Sequence, residues 1–198
     1  MLNLLKIGDI GIEDVTEITT SGNVFDYVDG EMRGRNKKGK LLISSRKIFD
    51  KNLISNETEP SIFGYNESEG TKKLFELCPY IYDAIKNKTP LIIDEFDSSF
   101  HPLLTKKIVQ LFNSKENKGA QLIFVTHDTN LLSADLLRRD QIEFVEKDKY
   151  GASHLYSLAQ FKGIRNNASF EKDYIQGKYG AIPFLGDFSK LIDTEEDA

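Results

Sequence analysis

Hydrophobic positions follow three regimes along the chain. Over residues 1–66 they come in short clusters. Residues 12–20 mix Val and Ile with Thr, and Val24-Phe25-Asp26-Tyr27-Val28 and Leu41-Leu42-Ile43-Ser44 follow. β-Branched and aromatic composition of this kind favours strands. With a Gly- and charge-rich connection between the last two, it predicts antiparallel hairpins. Residues 2–7 read as the end of a helix, stopped by Gly8 and Gly11.

The period then changes. Leu74, Leu77/Cys78, Ile81/Tyr82 and Ile85 recur at helical spacing and predict a helix over about 69–86 with one buried stripe, Cys78 on it as core. Ser68 is placed to cap this helix, and Gly70 leaves its first turn open to a close ligand. Pro79 should kink or divide it. The run Pro90-Leu91-Ile92-Ile93 is too short for a helix and reads as a buried parallel strand. Pro102, Leu103, Leu104, Ile108, Leu111 and Phe112 predict a helix over about 102–113. Residues 121–126 then form a second buried strand. Strand, helix and strand at this spacing make a right-handed βαβ unit, with both strand ends at one sheet edge.

The third regime is mixed. Residues 130–139 read as helical with leucines inward, and 141–145 with 154–158 as a hairpin across Lys149-Tyr150-Gly151. From Phe161 on the chain is aromatic-rich, with a packed turn over 179–184 and a disordered acidic end over 193–198.

Candidate chemistry collects at the strand ends. Asp94 and Glu95 follow Ile93 directly, then Phe96-Asp97-Ser98-Ser99-Phe100-His101, while His127-Asp128 end the other strand. Open α/β sheets bind ligands outside the carboxyl ends of their strands. Adjacent carboxylates suit Mg²⁺, and a capped helix N-terminus suits a phosphate oxygen. An acidic turn alone would be a bland solvated strand end. The capped helix before it and the histidine after it argue for a site. Gly34-Arg35-Asn36-Lys37-Lys38-Gly39-Lys40-Leu41 has the glycine and lysine spacing of a phosphate loop. Leu41 stands where that loop needs Ser or Thr, however, and strand rather than helix follows. The segment is therefore expected to be a basic hairpin tip, leaving the chain without a phosphate loop.

Composition narrows the classes. At 198 residues, net charge -5 and 39% hydrophobic content, the chain is about one soluble globular domain. The acidic balance gives no support to general nucleic-acid binding, and leaves only a local basic patch for it. A single cysteine excludes an internal disulfide and a cysteine zinc site. No signal-peptide pattern and no apolar run of about 18 residues occur, so a cytoplasmic location without a membrane span is expected.

Four stretches carry a family resemblance: Glu67-Ser68-Glu69-Gly70-Thr71, residues 91–102, Phe124-Val125-Thr126-His127-Asp128 and Arg138-Arg139-Asp140-Gln141. The first three resemble, in order, the signature motif, the Walker B strand with its D-loop, and the switch histidine of ATP-binding-cassette (ABC) ATPases. The likeness is nearest to RloA-like abortive-infection ATPases of the AAA family, relatives of the overcoming-lysogenisation-defect and SMC-like ATPases. Residues 177–183 resemble that group's C-terminal segment. The resemblance implies that Asp94 holds Mg²⁺ and that Glu95 polarises the attacking water. His127 would contact the γ-phosphate, Ser68, Gly70 and Thr71 would face ATP, and Asp97, Ser98 and Ser99 would form the D-loop. It implies ATP and Mg²⁺ as cofactors, a head-to-tail dimer, and a role in phage defence or DNA-related processes.

The Walker A lobe of that family has no counterpart in this sequence. The expected fold is α/β: the parallel-sheet half of an ABC-type P-loop ATPase domain, with an antiparallel β-rich N-terminal part. It divides into a β-rich segment 1–66, a lobe 67–160 and a C-terminal segment 161–198, one incomplete ATPase domain that a Walker A-bearing lobe would complete. Two other readings compete. A metal-dependent nuclease would use Asp94, Glu95 and Asp97 with His101 or His127, and needs acids converging from several strands. A non-catalytic scaffold would keep the fold without the chemistry. His101 and His154 show no partner in sequence and read as structural or surface groups.

Overall fold

The computed structural model describes residues 6, 11–28, 31–49, 51, 57–164 and 169–183, with the side chains of 24–28 and 31–35 left aside. The expected helix end over 2–7, apart from the helical Lys6, lies outside these residues, as do Phe184 and the tail 193–198. The chain forms two compact units, Met1–Thr126 and His127–Ala198.

The first unit opens with two long strands, β1 (Ile12–Val28) and β2 (Glu31–Ile48), and a third, β3 (Glu57–Ile62), in one antiparallel sheet of order β1-β2-β3. β1 and β2 pair from Ile12↔Arg46 to Val28↔Glu31. This corrects the expected hairpin tip: residues 34–41 lie inside β2, opposite 18–25. Gly22, Gly34 and Gly39 weaken a strand without breaking its ladder, because each still donates and accepts, and no proline interrupts the run. Nor does a helix follow residues 34–41, so this segment has no phosphate-loop geometry. β3 pairs only with residues 43–48 of β2 and carries Pro60, which an outer strand tolerates.

A single turn, α1 (Phe63–Asn66), leads into α2 (Glu69–Asn87). The Ser68 hydroxyl accepts from the Thr71 amide at 3.1 Å, as its place before the helix predicts. Leu74, Cys78, Ile81 and Ala84 form the buried stripe, and burial pushes the Cys78 thiol up to about 11. Pro79 does not divide the helix. It removes one backbone donor, and the packed stripe on either side holds the two halves together.

β4 (Pro90–Ile93), α3 (Pro102–Phe112) and β5 (Gln121–Phe124) make the expected βαβ unit. The strands pair in parallel, from Pro90↔Gln121 to Ile93↔Phe124. They are not buried on both faces, as their apolar runs had suggested. Ile93 is buried, but its neighbour Ile92 is 71% exposed and Ile123 is 53% exposed. Successive strand side chains point to opposite faces, and only the face carrying Ile93 is covered.

The second unit holds an antiparallel hairpin, β6 (Glu143–Lys147) and β7 (Ser153–Ser157), and a short helix α4 (Phe170–Ile175). Ile142, Phe144, Leu158, Phe170 and Tyr179 form its core. The helix expected over 130–139 is replaced by short 3₁₀ turns at Thr129–Leu131 and Arg139–Gln141, although Leu131 and Leu136 are buried. Asp128 accepts from the Asn130 amide and Ser133 from the Asp135 amide, local bonds that compete with helix. The expected packed turn is present: the Tyr156 and Tyr174 hydroxyls donate to the Tyr179 and Ala181 carbonyls at 2.7 and 2.8 Å. His154 gains a partner that the sequence did not reveal, Asp148 at 3.1 Å, whose carboxyl it holds below the usual range.

Candidate functional site

The site is built where β4 stops. Val125 donates to the Ile93 carbonyl and Phe96 donates back to the Val125 carbonyl, both at 2.9 Å, so the parallel pairing persists one step past the strands. Phe96 is wholly buried and packs on Phe124 and Phe100, with ring centroids 5.0 and 6.4 Å away. Those anchors leave Asp94 and Glu95 outside, on an exposed turn. The Glu95 amide donates to Asp94 Oδ1 at 3.0 Å, which orients that carboxylate.

The loop that follows is wound tightly. Glu95 and Ser99 take left-handed backbone angles, φ 48° and 65°, a conformation that costs non-glycine residues on the order of 1–3 kcal/mol each and needs its surroundings to enforce it. Three sets of bonds do so. The Ser98 and Phe100 amides donate to the Glu95 and Asp97 carbonyls at 3.1 Å. The Lys73 ammonium, one turn into α2, donates to the Glu95 and Ser98 carbonyls at 2.8 Å and lies 5.2 Å over the Phe100 ring. The Thr126 hydroxyl donates to Asp97 Oδ1 at 2.6 Å, tying the loop to the end of the neighbouring strand.

The start of α2 meets this loop closely. A Cβ on Gly70 would lie 2.6 Å from the Ser99 carbonyl oxygen. The first turn is thus not simply open to a ligand, as expected: backbone of residue 99 occupies the space that glycine frees. Ser68 remains exposed at the helix start, its hydroxyl 2.8 Å from that of the buried Thr71. Behind it, Glu67 is buried between Ser44, which donates at 2.6 Å, and Arg46. Both belong to β2, so the antiparallel sheet fixes where α2 begins.

Ser68, Gly70, Thr71, Asp94, Glu95, Asp97, Ser98 and Ser99 therefore gather within the first unit. His127 is exposed and opens the second unit, directly after Thr126. His101 caps α3, its Nδ1 accepting from the Leu103 amide at 3.2 Å, which accounts for it structurally. The sequence assigns no role to Lys73, Thr126, Glu67 or Arg46, although Glu67 and Thr126 lie in stretches that carry the resemblance. A lysine one turn after a Ser-x-Gly helix start, and a threonine ending an apolar strand, were the available signals. Among the described residues no three His, Cys, Asp or Glu side chains converge on a metal. The donor set present is a lone exposed carboxylate, Asp94, with Glu95 adjacent. That suits Mg²⁺, which keeps waters and takes phosphate oxygens, better than a metal needing an all-protein cage.

A βαβ unit whose first strand ends in an acidic loop, locked to a capped helix N-terminus, is part of a P-loop ATPase-like α/β domain. Residues 12–133, more than half of the chain, match the family described as "AAA domain, putative AbiEii toxin, Type IV TA system", and the chain belongs to that family. No curated protein and no solved structure matches it. Among the described residues no helix is long and apolar enough to cross a membrane.

Proposed function

We propose that the chain is the signature and Walker B lobe of a composite ATPase, related to the RloA-like abortive-infection group, and acts in a type IV toxin–antitoxin setting. The observation that carries this reading is the lock between α2 and the 95–99 loop. Through Gly70, Ser99 and Lys73 it ties the phosphate-facing helix start to the acidic turn. In this reading Asp94 would hold Mg²⁺, which neutralises phosphate charge when bound. Glu95 orients and polarises the attacking water, and His127 contacts the γ-phosphate. Ser68 and the first-turn amides of α2, with Thr71 beside them, bind a phosphate oxygen at the positive end of the helix dipole. Asp97, Ser98 and Ser99 form the loop presented to a partner subunit in a head-to-tail dimer.

A second lobe carrying a phosphate loop completes the site. The uncovered apolar face of β4 and β5, with Ile92 and Ile123 exposed, supports such a neighbour, since parallel sheets are ordinarily covered on both faces. Phosphoryl transfer depends mainly on positioning and charge neutralisation, so half a site is expected to be nearly inert. The test is reconstitution with a Walker A-bearing lobe, read as phosphate release. Glu95→Gln should abolish turnover, by roughly 10²-fold or more, while ATP-dependent association persists. Ser68→Arg should block association. Wild-type behaviour from both variants would leave the chain as a scaffold.

A further inference from the structure

Away from residue 43 the β1–β2 hairpin leaves the rest of its sheet behind. β3 pairs only with residues 43–48, so the eleven register pairs from Ile18↔Leu41 to Val28↔Glu31 form a two-stranded ribbon. At ~3.3 Å per residue it spans about 36 Å. Where its side chains are described, Ile18, Thr19, Ser21 and Asn23 on β1 and Asn36, Lys37, Lys38 and Lys40 on β2 are all exposed. Among the described residues of the ribbon no side chain is buried, and a two-stranded ribbon is marginal by itself.

Its charge is concentrated. Residues 33–40 contain Arg33, Arg35, Lys37, Lys38 and Lys40 and no acid, in a chain whose net charge is -5. Opposite Lys37, Lys38 and Gly39 in the register stand Gly22, Ser21 and Thr20, none of them acidic. Lys40 alone of the three lysines has a described ion pair, with Glu17 at 2.8 Å, both exposed. Around the cations lie Thr19, Ser21, Asn23 and Asn36, small hydroxyl and amide donors of the kind that bond phosphate oxygens. A lysine-studded ribbon could serve only to discourage edge-to-edge association, but scattered charges suffice for that and need no run free of acids.

We propose that this ribbon binds the phosphodiester backbone of duplex DNA. Charge complementarity selects a polyanion, and B-form DNA admits a two-stranded β-ribbon in its major groove of about 12 Å. Duplex RNA has a major groove too narrow for side chains to read. An acidic protein surface is the weaker candidate, since it lacks the regular row of phosphates that a line of lysines neutralises one by one. The ribbon meets backbone rather than bases, so binding is largely independent of sequence and strongly salt-dependent.

The experiment is fluorescence anisotropy of the full chain with a labelled DNA duplex of about 20 base pairs and mixed sequence, titrated from about 50 to about 200 mM salt. Micromolar binding at the low end is expected, weakening steeply with salt. Lys37→Glu with Lys38→Glu should cost at least ~10-fold and flatten the log–log salt slope by about 2, one for each phosphate no longer neutralised. Lys107→Glu with Lys115→Glu, the same charge change on α3 and the loop after it, should leave binding within about twofold. Circular dichroism of each double variant checks that these exposed substitutions leave the fold intact. The proposal is overturned if the duplex does not bind at low salt. It is equally overturned if the two double variants behave alike, or if a duplex RNA or an acidic polypeptide binds the ribbon more tightly than DNA.

Discussion

Gly70 shows how a single residue constrains the site. Any side chain there would press a Cβ to 2.6 Å from the Ser99 carbonyl. That carbonyl belongs to a loop already held by Lys73 and by two residues at positive φ. Neither backbone can retreat cheaply. Gly70→Ala should therefore cost roughly 1–3 kcal/mol, despite alanine's better helix propensity. Urea unfolding checks this, as a lower midpoint with an unchanged slope. An alanine variant as stable as the parent would mean that the loop yields, and that helix and loop are not rigidly coupled.

At the scale of elements, the antiparallel sheet and α2 meet through one buried carboxylate. Glu67 is almost wholly buried, and Arg46 about one-third exposed, so their pair lies between the costly buried and the weak surface limits. Arg46→Leu strands the carboxylate with only Ser44 as donor, at an expected cost of about 1–3 kcal/mol. Amide exchange in the first turn of α2 should accelerate. Unchanged protection there would show that α2 does not depend on this anchor. In the second unit the Tyr179 phenol is pushed up to about 12, first by burial and then by its hydrogen bond to Asp173. The folded state thus holds that proton more tightly than the unfolded chain, where a tyrosine ionises near 10.0. The resulting stability is complete below pH about 10 and is lost as pH rises towards 12. Tyrosinate absorbance should show one group ionising late, together with loss of near-ultraviolet dichroism. Early ionisation would place Tyr179 in water.

At the scale of the molecule, the question is whether residues 34–41 can act as a phosphate loop. Residues 34–41 carry its spacing but run inside β2, paired with 18–25 along their whole length. Their amides are committed to a strand, and no helix N-terminus follows to hold phosphates. The chain alone should show no ATP binding by calorimetry at micromolar concentrations. Micromolar affinity abolished by Lys40→Ala would require β2 to open there and would reinstate the segment as a phosphate loop.

Much of this was legible in the sequence because the signals are local. The stripe Leu74, Cys78 and Ile81 and the cap Ser68 need only residues a turn apart, and α2 follows them. Two short apolar runs joined by a helical crossover imply β4 and β5 in parallel, and so the acidic turn at their shared edge. Other features are decided by groups distant along the chain. Glycines at 22, 34 and 39 look like breaks until each strand has the other as partner, and only that ladder moves the reversal from residues 34–41 to between Val28 and Glu31. Leucines at 131, 132, 136 and 137 look helical, yet Asp128 and Ser133 bond the backbone locally and turns prevail. Thr126 on Asp97, Lys73 on the 95–99 loop and Ser99 against Gly70 each join residues more than twenty positions apart. The residue types that could form a phosphate-handling edge were written in the sequence. Their mutual placement, and the exposure of Ile92 and Ile123 beside it, are settled only when distant backbones compete for the same space.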